Sequence, residues 1–223
     1  MTDPTTSRAD TLLDSVRKRI LSGEIRPESW IKQDALAAEL GISKIPLREA
    51  LRKLEEEGLV KSEVNRGFFV RPLIEAEAED IFALRLKLEP EIVADAAMVA
   101  TDADREVAAG ALANLQAAIA EHSDQVPALN RAFHMALVRP AQKAVTATFV
   151  ERLHVLAERY VSVHLEPEER GPRANAEHLE LLAAWLSRDR AKAFAVTRDH
   201  IAETLMDLRV QLAAQGTETV SQD

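Results

Sequence analysis

The sequence contains no cysteine. That excludes a disulfide framework and a thiolate metal site, so any transition metal must be held by histidine, carboxylate or amide groups. Glycine is scarce, with seven in 223 residues, and aromatics make up only 4%. Both shortages point away from a β-sandwich and toward helices. No apolar run approaches the roughly 20 residues of a membrane span, so no membrane partner is expected. The first residues show no basic stretch running into an apolar one, so no secretion signal is expected and the cytoplasm is the expected location.

What is present is an ordinary balance of 47% hydrophobic and 29% charged residues, in a length that suits one large domain or two small ones. The formal net charge of −9 argues against a nucleic-acid partner, but its distribution does not. Residues 1–72 carry 13 Lys/Arg against 12 Asp/Glu, whereas residues 73–223 carry 15 against 25. Such asymmetry predicts two modules with different partners. We place their boundaries at 8–72 and 75–215.

In the first module, "DTLLDSVRKRILSGEI" (10–25) has a helical stripe of Leu12, Leu13, Val16, Ile20 and Leu21, stopped by Gly23. "QDALAAELGIS" (33–43) predicts a short second helix and a turn at Gly41. "SKIPLREALRKLEEEG" (43–58) predicts a third, with Ser43 as N-cap, Pro46 in the first turn, and Leu47, Ala50, Leu51 and Leu54 facing inward. "LVKSEVNRGFFVRP" (59–72) reads as a hairpin with Gly67 free to take a positive φ. Helix, helix-turn-helix and hairpin is the winged helix-turn-helix order. On the third helix Lys44, Arg48 and Arg52 recur at four-residue steps away from the leucines. Like charges so spaced repel by about 0.2–0.5 kcal/mol per pair. A polyanion alongside would remove that cost, and a recognition helix places such residues against base edges in the major groove. The competing reading is a solvated face neutralised by Glu49, Glu55, Glu56 and Glu57.

"GISKIPLREALRKLEEEGLV", with the upstream "RKRILSGEIRPES", resembles the GntR family of transcriptional regulators. The resemblance implies double-stranded operator DNA as partner, with contacts at Ser43, Lys44, Ile45, Arg48, Arg66 and Gly67. Lys44 and Ile45 depart from the usual Arg and Thr, and Asp34 stands where Arg or Glu is common. Lysine lacks the bidentate fork of arginine.

From residue 74 onward only helical patterns occur: 75–100 with Pro90 expected to kink or interrupt it, 101–123 opened by a Thr101/Asp104 capping box, then 126–138, 142–165, 173–187 and 190–214, with a frayed tail. The fold class is therefore mostly α, a winged helix-turn-helix followed by an antiparallel six-helix bundle. His178 and His200 lie equidistant from the turn at residue 189, so in an antiparallel pair they share one height, about 15 Å from the hairpin end. Asn130 and His134 are four apart on one face. Three imidazoles and an oxygen from three helices would suit zinc, with nickel or manganese as alternatives. Ordinary core histidines are the competing reading, and His122, His154 and His164 lack any such spacing. Arg85 sits in a stripe of Ile81, Phe82, Leu84 and Leu88, and a buried guanidinium needs an anion. Glu89 at i+4 is one candidate and a bound carboxylate effector is the other.

"IFALRLKLEPEIVADAA", "NRAFHMAL" and "EHLELLAAWLSRDRAKAFAVTRDHI" resemble the FCD effector domain of the FadR subfamily of GntR regulators. By position, the resemblance implies Asn130, His134, His178 and His200 as metal ligands, with Asn130 replacing the usual Asp. It also implies a small carboxylate effector at the metal, near Arg85, and a homodimer reading paired half-sites. The expected function is a metabolite-responsive DNA-binding regulator, not an enzyme. A metal-free regulator, or a three-histidine hydrolase or lyase, are the alternatives; no His-Glu-x-x-His spacing supports the latter.

Overall fold

The computed structural model describes residues 4–21, 23–121, 123, 125–165 and 170–219. The chain divides into two compact units, Met1–Leu73 and Ile74–Asp223.

The first unit contains α1 (Pro4–Leu21), α2 (Gln33–Glu39), α3 (Lys44–Glu56) and the antiparallel strands β1 (Val60–Glu63) and β2 (Gly67–Val70). Strand register pairs Val60 with Val70 and Glu63 with Gly67, leaving the connection 64–66 at the hairpin tip. Gly41 adopts φ +65° in the turn between α2 and α3, where a side chain would be strained. Val16, Ile20, Leu36, Leu47, Leu51, Leu54, Phe68 and Val70 form one buried cluster. Each such burial contributes about 1.5–3 kcal/mol, which orients α3 by its leucine face. Ser43 occupies the N-cap position of α3, but its side chain makes no capping hydrogen bond, contrary to the sequence expectation. Its hydroxyl group is exposed instead.

The second unit, among the described residues, holds six helices and one 3-10 turn: α4 (Glu75–Val99), α5 (Asp102–Ala120), α6 (Val126–Val138), the turn Arg139–Ala141, α7 (Ala144–Leu165), α8 (Arg170–Leu186) and α9 (Arg190–Thr219). α4 packs chiefly along α9 and also against α7 and α6. It runs unbroken through Pro90, which is buried. The interruption expected at this proline does not occur. The missing N–H costs about 3 kcal/mol in a helix interior, and packing of α4 on several sides offsets it. α9 continues to Thr219, beyond the expected end at 214. Tyr160 of α7 fastens the start of α4: its hydroxyl donates to the Ile74 carbonyl (3.1 Å) and accepts from the Ile74 N–H (3.3 Å).

The capping box is present. Thr101 Oγ1 accepts from the Asp104 N–H at 3.2 Å, and Asp104 Oδ2 accepts from the Thr101 N–H at 2.8 Å. Thr101→Ala is expected to lower stability by about 0.5–2 kcal/mol in urea unfolding; an unchanged midpoint would show that α5 does not depend on its cap.

Candidate nucleic-acid interface and candidate metal centre

On α3, Ser43, Lys44, Ile45, Arg48 and Arg52 are all exposed on the side opposite the buried Leu47, Leu51 and Leu54. Ile45 is 71% exposed. Lys44 pairs with Asp34 of α2. The acidic residues that might neutralise this face are partly committed elsewhere. Glu57 accepts from Arg17 Nε and Nη2 at 2.9 and 2.7 Å. Glu55 accepts from the Ser62 N–H and hydroxyl, both at 2.7 Å. Among the described residues, no hydrogen bond or ion pair engages Arg48.

Arg66, at the hairpin tip, lies 4.6 Å above the ring of Trp30 and donates to Glu63 at 3.2 Å. Gly67 has φ +100°, and a Cβ there would come within 2.8 Å of Gln33 Nε2. Trp30 itself joins the hairpin through an isolated bridge to Phe69. Its role as a platform for Arg66 has no sequence signal beyond being an aromatic residue near the wing.

In the helical unit, one cavity is lined by Arg85, Asn130, His134, Glu177, His178 and His200, with Val161, Ala174 and Thr204 closing it. α6 supplies Asn130 and His134, α8 supplies Glu177 and His178, and α9 supplies His200. One nitrogen from each of His134, His178 and His200 lies within 4.8 Å of the others. Their ring centroids are 5.1–5.5 Å apart. Asn130, His134 and His178 are buried. Burial, reinforced by His154, His200, His178 and Arg85, pushes the His134 imidazole well below the ordinary histidine value. A neutral ring keeps a lone pair, which a metal ligand requires. These donors, all nitrogen apart from the Asn130 amide, fit a zinc-like divalent ion better than calcium or magnesium.

Arg85 is 3% exposed and has Glu89 as its ion-pair partner. Its Nε donates to Glu89 Oε1 at 2.5 Å, and it also lines the cavity. His154 is not an ordinary histidine. It is buried on α7, with Nε2 3.1 Å from Glu89 Oε2 and its ring 5.0 Å from His134. Glu89, His134 and His154 form a second group of potential ligand atoms within 4.8 Å. The signal for His154 was its place in a buried run with Val150, Leu153, Ala157 and Val161. His122 and the side chain of His164 lie outside the described residues.

Burial alone would raise the Glu89 carboxyl, but Arg85 and His154 hold it down to about 2. Because the folded value lies below the unfolded one, its contribution is full above the unfolded value of 4.5 and is lost as pH falls toward about 2. Glu89→Gln leaves the Arg85 charge buried without a counter-ion and is expected to cost about 3–5 kcal/mol in urea unfolding at neutral pH. The gap from wild type should narrow as pH drops toward about 3. A gap that is absent, or that widens in acid, would contradict this pairing.

Comparison with known proteins gives a consistent result. The model for bacterial regulatory proteins of the gntR family matches residues 8–70, and that for the FCD domain matches residues 80–203. The HTH-type transcriptional repressor GlaR of Escherichia coli (strain K12) is 31% identical over 203 residues, covering 86% of this chain and 92% of that protein. The HTH-type transcriptional repressor RspR of the same organism is 24% identical over 212 residues, covering 93% and 91%. Among solved structures, E. coli McbR/YncC superposes with a TM-score of 0.73 at 21% identity, covering 92% of this chain and 98% of the other, a likeness of fold. A GntR family member from Pseudomonas syringae pv. tomato str. DC3000 gives 0.57 at 25% identity, covering 98% and 91%.

Proposed function

Since the chain belongs to the gntR family of bacterial regulatory proteins and carries an FCD domain, it is a DNA-binding transcriptional regulator, and we propose that a small carboxylate effector, held with a divalent metal in the histidine-lined cavity, controls its grip on operator DNA. The observation that carries the effector half is the convergence of His134, His178 and His200 from three helices beside Asn130 and Arg85.

In this reading α3 enters the major groove. Arg48, with no competing ion pair among the described residues, donates to guanine O6 and N7, and Ile45 packs on a thymine methyl group. Ser43, Lys44 and Arg52 reach phosphates or base edges on the same face, while Arg66 and the close backbone approach at Gly67 engage the DNA backbone. Paired half-sites call for a homodimer acting in the cytoplasm, where the DNA is.

In the cavity, His134, His178 and His200 would hold the metal, with the Asn130 amide oxygen as a weaker fourth donor. Zinc fits best, and nickel and manganese remain alternatives. The bound ion would supply positive charge for an effector carboxylate. Arg85 offers the same carboxylate a guanidinium already held in place by Glu89. Effector and metal then act on DNA affinity by binding one conformational state better than another. A regulator whose histidines bind effector without metal is the second reading, favoured by the dense pairing that Arg85, Glu89 and His154 achieve alone.

Arg48→Ala should lose at least about 1–3 kcal/mol of binding to duplexes selected by the wild-type protein from a random pool; unchanged affinity would remove the groove assignment. His178→Ala should abolish stoichiometric zinc, measured by elemental analysis, and with it the melting-temperature rise that zinc gives wild type. Retained zinc would show that the ligand set is wrong.

A further inference from the structure

Three imidazoles and an amide bring no negative charge to a divalent cation. Two buried or half-buried carboxylates stand nearby. Glu89 is already neutralised, because Arg85 Nε lies 2.5 Å from it in a site that is almost fully enclosed. Glu177 is placed differently. It lines the cavity from α8, and its Oε2 lies 3.4 Å from Nδ1 of His200 on α9. Its Oε1 accepts from Arg173 Nε at 2.8 Å. Arg173, however, is half exposed and shared with Glu203 and Asp207, each at 3.6 Å. Glu177 therefore shares a half-exposed guanidinium with other carboxylates, unlike Glu89 in its enclosed pair.

A carboxylate beside one ring nitrogen of a histidine fixes the proton there. Nδ1 of His200 is buried and makes no formal hydrogen bond, with Glu177 Oε2 3.4 Å away; a proton carried on Nδ1 would sit beside that carboxylate, leaving the lone pair on Nε2 for a metal and holding the ring in orientation. Building on the metal reading of this cavity, we propose that Glu177 is a positioning residue for the metal: it orients His200 and supplies, through that imidazole, the negative charge that Asn130 does not.

The test uses the full-length chain, stripped of metal with a chelator and titrated with zinc against a chromogenic competitor. Glu177→Gln keeps the size of the side chain and removes its charge. The expected result is a loss of about 10- to 100-fold in zinc affinity, with urea stability of the metal-free protein close to wild type. Equal zinc affinity in wild type and variant overturns the role of Glu177 while leaving the metal site standing. A metal-free stability loss as large as the affinity loss also overturns it, because the residue would then be only structural. No zinc binding by wild type removes the metal reading, and this inference with it.

Discussion

Placing three imidazoles, a guanidinium and a carboxylate together inside a helical unit is costly unless every charge and lone pair finds a partner. Here the groups come from five helices at once. Arg85 and Glu89 on α4 neutralise each other, His154 on α7 donates to the same carboxylate, and His134, His178 and His200 face one cavity from α6, α8 and α9. The positions of these helices and the existence of the cavity are therefore one constraint. Whatever enters the cavity touches residues from five of the six helices described for this unit.

The first unit solves a simpler problem. Its leucine face fixes α3 and leaves the opposite face to solvent, and the geometry decides which of the charges there are free. Glu55 and Glu57 turn toward Ser62 and Arg17 and Lys44 pairs with Asp34, while among the described residues Arg48 keeps no ion pair. The net charge of −9 belongs mainly to the second unit and says little about the basic face proposed to meet DNA.

Much of this was readable from residue spacing because it depends on local periods. Leu47, Ala50, Leu51 and Leu54 mark the buried side of α3, and Thr101 with Asp104 marks the start of α5. The meeting of His178 and His200 followed from their equal distance to one turn, and their rings lie 5.1 Å apart. The Glu89–His154 pair did not follow, since 65 residues separate the two and only the packing of α4 on α7 joins them. Glu177 was hidden for another reason. Adjacent helical residues point about 100° apart, so its neighbour His178 gave no reason to place it at the same cavity. At Pro90 the helix is not interrupted, because tertiary packing prevailed over local propensity.

The central claim is that occupancy of the histidine-lined cavity and grip on DNA are energetically linked, and linkage must be reciprocal. The direct measurement is zinc affinity with and without a saturating wild-type-selected duplex, set beside duplex affinity with and without saturating zinc, repeated in the presence of a carboxylate that raises the melting temperature. The account predicts that the two ratios are equal and differ from one. Ratios of one under every condition would contradict it, leaving two units that share a chain without influencing each other.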